Sequence, residues 1–359
     1  MKQSQIEDLD PNFEKIDPKT GLHWYDIQVF GIEGQGWSDT KRTYARLPAK
    51  AEGIVREPVW QLAQHSAGLC VRFVTSAKAI SARWQLWSQS LAMAHMPATG
   101  VSGIDLYIKD SSRSKGRRYH WVGFGKPEKF PDNEAELVAG LNGQPHEFIL
   151  YLPLYNGVEK VEIGVDAEVV IDKARTHTTK PIVMYGTSIL HGGCASRPGM
   201  SYPAIMGRAI DQPIINLGFS GNGQAEPEMA ELLTELDPSV YILDYCPNVN
   251  ADGIRGRTEP FVQTLRNVHP ETPIVLVENI TYQKHLYVQS ARTSTDEKNV
   301  ELRSAYNRLR QAAVKHLLYV PGERLLGDDG EGTVDGVHPT DVGFMRMAET
   351  IAPVVEALL

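Results

Sequence analysis

The chain has 359 residues, of which 42% are hydrophobic and 22% charged, and its formal net charge is −8. This length exceeds the usual size of one domain, so we expect two domains with a sizeable core. The composition is typical of a folded globular protein. The net negative charge argues against nucleic acid as a partner, and so do the basic runs, which are short. The densest basic run spans 113–118.

The N-terminal residues are polar and acidic, and the sequence contains no run of 18 apolar residues. The sequence therefore predicts neither a signal peptide nor a membrane partner. We expect a cytoplasmic location from the sequence as it stands, or a periplasmic or secreted one if a leader has been removed.

The N-terminal half has the pattern of an all-β domain. Apolar residues alternate with polar ones, clusters of Gly, Pro, Ser and Asn separate the runs, and no long amphipathic helix is evident. The candidate strands are 67–75, 79–87, 103–108, 146–152 and 158–165. This series predicts an antiparallel sandwich or jelly roll in a domain of residues 1–175.

The pattern changes after a polar stretch that ends at Pro181. From there, nearly continuous apolar runs alternate with helical ones, which predicts a parallel sheet covered on both faces over residues 176–359. The candidate strands are 181–186, 213–218, 240–244 and 273–278, and the candidate helices are 201–210, 226–235, 259–268, 298–317 and 342–359.

Ser188 follows the first of these strands, at the edge of a parallel sheet where ligands bind. At the start of a helix its hydroxyl would be exposed and backbone N–H groups would point into the same space. Alone, the pattern fits a helix N-cap better than a nucleophile.

Asp335 and His338 lie just before the last predicted helix. A serine hydroxyl needs an imidazole to accept its proton, and a carboxylate on the other ring nitrogen orients that imidazole. Taken alone, an Asx turn and a histidine at the helix entry explain the pair better than catalysis does. The combination with Ser188 favours a catalytic triad.

Two further strand-end loops offer donors for an oxyanion. Gly221 follows the second strand, where a backbone N–H can approach a substrate closely, and Asn248 follows the third strand with a carboxamide donor. The glycines around 221 do not have the G-x-G-x-x-G spacing, so no dinucleotide is expected.

Four blocks in this order resemble the SGNH (GDSL-like) hydrolases: Gly186–Ile189, Gly218–Gly221, Pro247–Asn248 and Asp335–His338. The resemblance covers about 181–359. It implies a flavodoxin-like α/β/α domain in which Ser188 is the nucleophile, His338 the base and Asp335 its orienting carboxylate. The oxyanion hole would comprise the Ser188 and Gly221 N–H groups and the Asn248 amide.

Two blocks depart from the usual family pattern. Thr187 stands where the family usually has aspartate, and Pro247 precedes Asn248 where a Gly-x-Asn-Asp sequence is usual. The chain resembles a bacterial subgroup of this family that has an N-terminal GxDLY β-domain. The resemblance lies in the sequence Gly103–Tyr107 and in the stretch that begins at Gly192. We expect Asp105 and Tyr107 of that motif to serve structure, at the interface between domains.

Several other side chains allow two interpretations. His191 and Arg197 are candidate substrate contacts, although His191 would also suit a turn and Arg197 a structural salt bridge. Trp84, Trp87 and Trp121 would suit sugar stacking, but tryptophans on sandwich strands are more often core.

The cysteines and histidines provide no sign of a metal site. Cys70, Cys194 and Cys246 are far apart, which excludes a disulfide framework and a zinc knuckle. The eleven histidines show no H-E-x-x-H or other compact ligand spacing, so no metal and no cofactor are predicted.

The predicted function is a serine esterase that hydrolyses small acyl esters, acetyl foremost, carried by a small molecule or an oligosaccharide. One alternative is a non-catalytic glycan-binding protein on a degenerate hydrolase scaffold. Another is a lipase or thioesterase of the same family, which the lack of a membrane-binding segment or a long apolar lid disfavours.

Overall fold

The structure is a computed structural model that describes residues 17, 20–110, 112 and 118–359. The basic run at 113–118 therefore lies outside the described residues, except for Arg118. No helix in the described part of the chain has the length and apolar character needed to cross a membrane. The three cysteines are free thiols.

In the described part of the N-terminal half, ten strands form two antiparallel sheets. They are β1 (Leu22–Asp26), β2 (Ile32–Glu33), β3 (Cys70–Thr75), β4 (Ala79–Leu86), β5 (Ile104–Lys109), β6 (Tyr119–Gly125), β7 (Asp132–Ala139), β8 (His146–Tyr151), β9 (Val158–Asp166) and β10 (Ile171–Lys173). One sheet has the order β1-β9-β4-β7, and the other has the order β10-β3-β8-β5-β6 with β2 beside β3.

The two sheets enclose one hydrophobic core. Alternate residues of β4 are buried, as the period-two pattern requires, and they meet Phe73 of β3 and Phe148 of β8 from the opposite sheet. Trp84 lies in this core, with its indole N–H donating to the Ser102 carbonyl at 3.1 Å. The predicted sandwich is confirmed.

Five parallel strands form the sheet of the C-terminal half, in the order β12-β11-β13-β14-β15. They are β11 (Ile182–Gly186), β12 (Ile214–Gly218), β13 (Val240–Asp244), β14 (Ile274–Val277) and β15 (Leu317–Val320). The helices of this half are α3 (Ser188–His191), α4 (Tyr202–Ile210), α5 (Pro227–Leu233), α6 (Ala251–Val268), α7 (Gln289–Gln311) and α8 (Asp341–Glu356), and the N-terminal half has α1 (Glu57–Ala63) and α2 (Ala98–Val101).

This strand order is that of flavodoxin-like folds, as the resemblance implied. Each strand is buried on both faces: Val183 and Tyr185 of β11 pack toward α5, α6 and α7, while Ile182 and Met184 pack toward α4 and α8. The apolar runs therefore mark strands covered on both sides. The predicted α/β/α architecture is confirmed.

The prediction of a helix over 298–317 was wrong at both ends. Helix α7 begins nine residues earlier, at Gln289, and ends at Gln311, and Leu317 opens β15, a strand that the sequence did not predict. Ala313 and His316 adopt left-handed backbone conformations, with φ of 60° and 52°, which end the helix and turn the chain into the sheet. Because β15 is only four residues long, its apolar residues resemble the last turn of a helix.

Packing crosses the predicted boundary between the halves. Trp60 of α1 belongs to the same core as Tyr185 and Phe219 of the C-terminal half. Arg46, which is only 1% exposed, donates to the carbonyls of Asn216 and Gly218 at 3.0 and 2.8 Å. A segment of the N-terminal half thus supports β12 where it reaches the carboxyl edge of the sheet. The division into 1–175 and 176–359 stays a prediction.

Candidate active site

Ser188 lies at the carboxyl edge of the parallel sheet. Strand β11 ends at Gly186, Thr187 caps the next helix by accepting from the Ile189 N–H at 3.3 Å, and Ser188 is the first helical residue. The N–H groups of a first helical turn lack partners within the helix, so they face the space above the sheet. Ser188 is buried, with 7% of its surface exposed.

One continuous line of hydrogen bonds joins Ser188, His338 and Asp335. His338 Nε2 lies 2.9 Å from Ser188 Oγ, and His338 Nδ1 lies 2.7 Å from Asp335 Oδ2. With Nδ1–H donating to the carboxylate, Nε2 is left to accept from the serine hydroxyl. The structure therefore brings the three predicted side chains together in the order that nucleophilic catalysis requires.

Asp335 is held in place by its own loop. Its Oδ1 accepts from the backbone N–H groups of Val337 and His338 at 2.9 and 2.8 Å, which makes the Asx turn that was the alternative interpretation of this motif. Burial alone would raise the pKa of the carboxyl, but the hydrogen bonds from the His338 ring and from these two N–H groups outweigh it and lower the pKa to about 2. The carboxylate is therefore ionised at neutral pH.

The predicted oxyanion donors lie on the loops after β11, β12 and β13. Among the described residues, no acceptor pairs with the N–H of Ser188 or of Gly221. Gly221 has φ of +68°, and the space beside its Cα is open.

Asn248 closes the short turn Cys246–Asn248. Its carboxamide is oriented by its hydrogen-bond partners. With Oδ1 accepting from the Asn222 and Gly223 N–H groups, the distances are 3.1 and 3.3 Å, whereas the opposite orientation offers one bond of 3.4 Å to the Phe219 carbonyl. The first arrangement gives the carboxamide two hydrogen bonds in place of one, and it leaves Nδ2 as a donor.

The proposed substrate contact at His191 is wrong, because its side chain has no exposed surface. Its Nε2 lies 2.7 Å from the Leu154 carbonyl, and its ring stacks on Tyr155 at a centroid distance of 4.2 Å. Burial lowers the pKa of His191 well below its usual value, so the ring is neutral. His191 therefore joins the two halves beneath the site.

Arg197 is held at the interface between the halves, and its role as a substrate contact stays a prediction. It donates to both carboxylate oxygens of Asp105, at 2.8 and 3.1 Å, and to the Tyr107 hydroxyl at 2.9 Å. Asp105 has no exposed surface and accepts in addition from the Gly199 N–H and the Trp121 indole, at 3.0 and 2.8 Å. The conformation of this loop therefore depends on a buried ion pair between the halves, which was the alternative interpretation for Arg197.

His95 is the residue of this site that sequence analysis missed. It lies on the loop after β4, is exposed, and has its ring centroid 5.7 Å from that of His338. Met93 and Met96 pair their backbones in a tight turn that presents His95 at its tip. No spacing in the sequence connects position 95 with positions 335–338, so only the fold brings them together.

Comparisons with known proteins show the family to which the chain belongs. Residues 179–356 match the model of the GDSL-like lipase/acylhydrolase family, and residues 22–171 match a model described as the N-terminus of SGNH-hydrolase-type esterases. A solved protein named as a GDSL-like lipase from Bacteroides ovatus is 34% identical, with 94% of this chain and 98% of that chain covered and a TM-score of 0.88. The chain belongs to the GDSL-like SGNH hydrolase family.

Two more distant structures share the fold of this SGNH hydrolase. The salicylyl-acyltransferase SsfX3 from a tetracycline biosynthetic pathway is 18% identical, with 92% of this chain and 96% of that chain covered and a TM-score of 0.73. A family two carbohydrate esterase from Clostridium thermocellum, in complex with cellohexaose, is 14% identical, with 80% and 91% covered and a TM-score of 0.55. No curated protein matches the chain.

The departures from the usual SGNH motifs have local structural roles here. Thr187, in place of the usual aspartate, is completely buried and its hydroxyl caps helix α3. Pro247 precedes Asn248 in the turn after β13, and Lys298 donates to the Pro247 carbonyl at 3.0 Å. Both blocks therefore retain a defined backbone conformation.

Proposed function

We propose that this SGNH hydrolase is a serine esterase that cleaves small acyl esters, acetyl foremost, through an acyl-Ser188 intermediate. The proposal is carried by one observation, the line of hydrogen bonds from Ser188 Oγ through the His338 ring to Asp335. This arrangement activates a hydroxyl without any other group.

Each side chain has a distinct role in the proposed reaction. Ser188 Oγ attacks the ester carbonyl carbon while its proton passes to His338 Nε2, and the carbonyl oxygen becomes an oxyanion. The N–H groups of Ser188 and Gly221 and the Asn248 amide stabilise that charge. The carbon–oxygen bond to the alcohol then breaks, and the alcohol leaves with the proton from Nε2.

Deacylation repeats these steps with water as the nucleophile. His338 Nε2 accepts a proton from the water that attacks the acyl carbon, and the oxyanion donors act again. The bond to Ser188 breaks, the proton returns to Oγ, and the carboxylic acid is released. Asp335 remains ionised throughout and stabilises the imidazolium that forms twice per cycle.

A small acyl group is favoured because the side of Ser188 that faces Tyr155 and Gly193 has little free space. The Tyr155 hydroxyl donates to the Ser188 carbonyl at 3.3 Å. A Cβ at Gly193 would lie 2.9 Å from the Tyr155 hydroxyl and 3.1 Å from His338 Cδ2, so even a methyl group is tightly constrained there. The carbohydrate esterase of the same fold, seen with cellohexaose, adds support for an oligosaccharide as the alcohol.

A second candidate substrate is an ester with a longer apolar chain. Leu286, Tyr287 and Val288 are consecutive and exposed by 75%, 89% and 44%. They follow Lys284, whose side chain reaches the Gly336 backbone next to Asp335. An exposed apolar segment that follows a neighbour of the triad loop would suit a lipid or an aryl ester.

The first experiment labels the protein with a fluorescent fluorophosphonate and measures hydrolysis of p-nitrophenyl acetate, butyrate and octanoate. We expect Ser188→Ala to lose both labelling and turnover with an unchanged circular dichroism spectrum. Ser239→Ala is the matched control, because Ser239 lies at the opposite, amino edge of the sheet and should retain both. Labelling and turnover in Ser188→Ala at the wild-type level would refute the proposal.

The substrate class is tested by acetate release from acetylated xylo- and cello-oligosaccharides. Preference for acetate over octanoate, with release from the oligosaccharides, supports the first candidate, and preference for octanoate supports the second. Binding of glycans by calorimetry without labelling or turnover would instead favour the non-catalytic alternative.

A further inference from the structure

Four potential metal ligands from three segments meet beside the triad. They are His95 from the β-half, Cys194 from the loop after α3, and the pair Asp335 and His338. One ligand atom from each residue lies within 4.8 Å of those of the other three. The spacing of histidines and cysteines in the sequence gave no sign of this cluster, because its members come together only in the folded chain.

The three segments are fastened to one another. Thr99, in the short helix α2 that follows the loop carrying His95, donates to the Ser196 carbonyl at 2.6 Å. The Ser196 N–H in turn donates to Asp341 at 2.9 Å, and Asp341 opens the helix that follows His338. The segment that carries Cys194 is therefore fastened to both of the others through Ser196, and the Cys194 backbone adopts the left-handed region with φ of 73°.

The donor set is the one that zinc prefers. Imidazole nitrogen, thiolate sulfur and carboxylate oxygen are the usual Zn²⁺ ligands, and tetrahedral geometry places ligand atoms about 3.3–3.8 Å apart. Side-chain movements of about 1 Å would bring the present cluster to that spacing. His95 is exposed on its loop and Asp335 is partly exposed, so both the ion and the movement have room.

We propose that His95, Cys194, Asp335 and His338 form a Zn²⁺ site, and that the bound ion reversibly inhibits the enzyme. Binding forms four metal–ligand bonds, releases the thiol proton to solvent and leaves the ring proton of His338 on the nitrogen that does not bind the ion. The ion engages His338, which then cannot accept the Ser188 proton, and Asp335, which then cannot orient the ring. The inhibition rests on the proposed function, whereas the binding does not.

This site differs from the catalytic triad in two of its four members. His95 and Cys194 have no part in the proposed reaction, so they can be replaced to separate metal binding from turnover. The chain also offers matched controls: Cys70 lies on β3 of the sandwich, and His120 is exposed on β6.

Binding is tested with Co²⁺ alone as a spectroscopic substitute for zinc. We expect wild-type protein to develop tetrahedral d–d bands and a thiolate-to-cobalt charge-transfer band, both removed by added Zn²⁺. Cys194→Ser should lose the charge-transfer band and Cys70→Ser should keep it. His95→Ala should weaken binding at least about tenfold, since even an outer-shell partner of a metal site is worth that much, and His120→Ala should not. A missing thiolate band in wild type, or one that persists in Cys194→Ser, would overturn the site.

Inhibition is tested by measuring hydrolysis of p-nitrophenyl acetate at increasing Zn²⁺ concentrations, and a chelator is then added to restore the rate. Each rate is expressed as a fraction of the same variant's rate without metal. We expect the inhibitory concentration to rise at least about tenfold in His95→Ala and in Cys194→Ser. Zinc that binds without slowing turnover would overturn the inhibitory role. If wild type has no esterase activity, the proposed function fails, and the Co²⁺ spectra still decide whether the site exists.

Discussion

Asp335 and His338 are joined twice, once through the side chains and once through the backbone. Asp335 Oδ2 lies 2.7 Å from the His338 ring Nδ1, while Oδ1 accepts from the His338 backbone N–H at 2.8 Å. One carboxylate thus sets both the conformation of the loop and the orientation of the ring. The structural and the catalytic interpretations of this motif are therefore compatible.

Asp335→Asn should separate these two roles. The amide Oδ1 can still accept from the backbone, so the loop should keep its conformation, but an amide N–H₂ facing the ring favours the wrong histidine tautomer. By analogy with serine proteases, kcat should fall by about 10³–10⁴ with a smaller change in KM. Steady-state hydrolysis of p-nitrophenyl acetate measures this. Asp329→Asn, which alters an exposed aspartate paired with Arg346, is the control and should stay near wild type.

Asn248→Ala should reduce kcat by about 10²–10³ if the carboxamide stabilises the oxyanion, because one such donor is typically worth about 2.7–4 kcal/mol of barrier. The KM should change little, since the charge develops only in the transition state. Asn267→Ala, on the outer part of α6, serves as the control. A fall in kcat/KM caused entirely by KM would show that Asn248 binds substrate instead.

The fold could be predicted largely from the sequence because its signals are local. The period-two alternation of β4 and the apolar runs of β11 and β13 each follow from which faces are buried. The short strand β15 was missed because four apolar residues next to a helix carry no periodicity of their own.

The site could be predicted only in part. Ser188 occupies a recognisable motif after a strand, and the pair Asp335 and His338 occupies one before the last helix. The burial of His191 could not be foreseen, since it depends on Tyr155 and Leu154 from the other half. His95 reaches the site on a β-domain loop, and its sequence separation from the triad leaves no pattern to detect.

Asp105→Ala should destabilise the protein by about 3–5 kcal/mol, because it leaves the partly buried Arg197 cation without its carboxylate. The Trp121 indole and the Gly199 N–H lose the same acceptor. Chemical denaturation followed by tryptophan fluorescence measures the change. Glu159→Ala removes an exposed partner of Arg42 and should cost no more than about 1 kcal/mol. Equal losses in the two variants would contradict a special role for the buried pair.

Asp244, at the carboxyl end of β13, should make stability depend on pH. Burial raises the pKa of its carboxyl to about 7, although the Tyr202 hydroxyl donates to it at 2.6 Å and opposes the increase. Between about pH 4 and pH 7 the folded protein keeps a proton that the unfolded chain releases, so the free energy of unfolding falls as pH rises.

Asp244→Asn removes this titration. The variant should therefore gain stability relative to wild type as pH rises from about 4 to 7, by up to about 4 kcal/mol, with a constant difference above and below that window. Tyr202→Phe should move the upper end of the window to higher pH, because it removes the hydrogen bond that favours the carboxylate. Urea denaturation at a series of pH values measures both effects, and any constant cost of either substitution cancels from the pH dependence. The contrary outcome is a difference in the free energy of unfolding between Asp244→Asn and wild type that stays constant from pH 4 to 8. It would mean that Asp244 is already ionised in the folded protein at about pH 4, with Tyr202 sufficient to stabilise its charge.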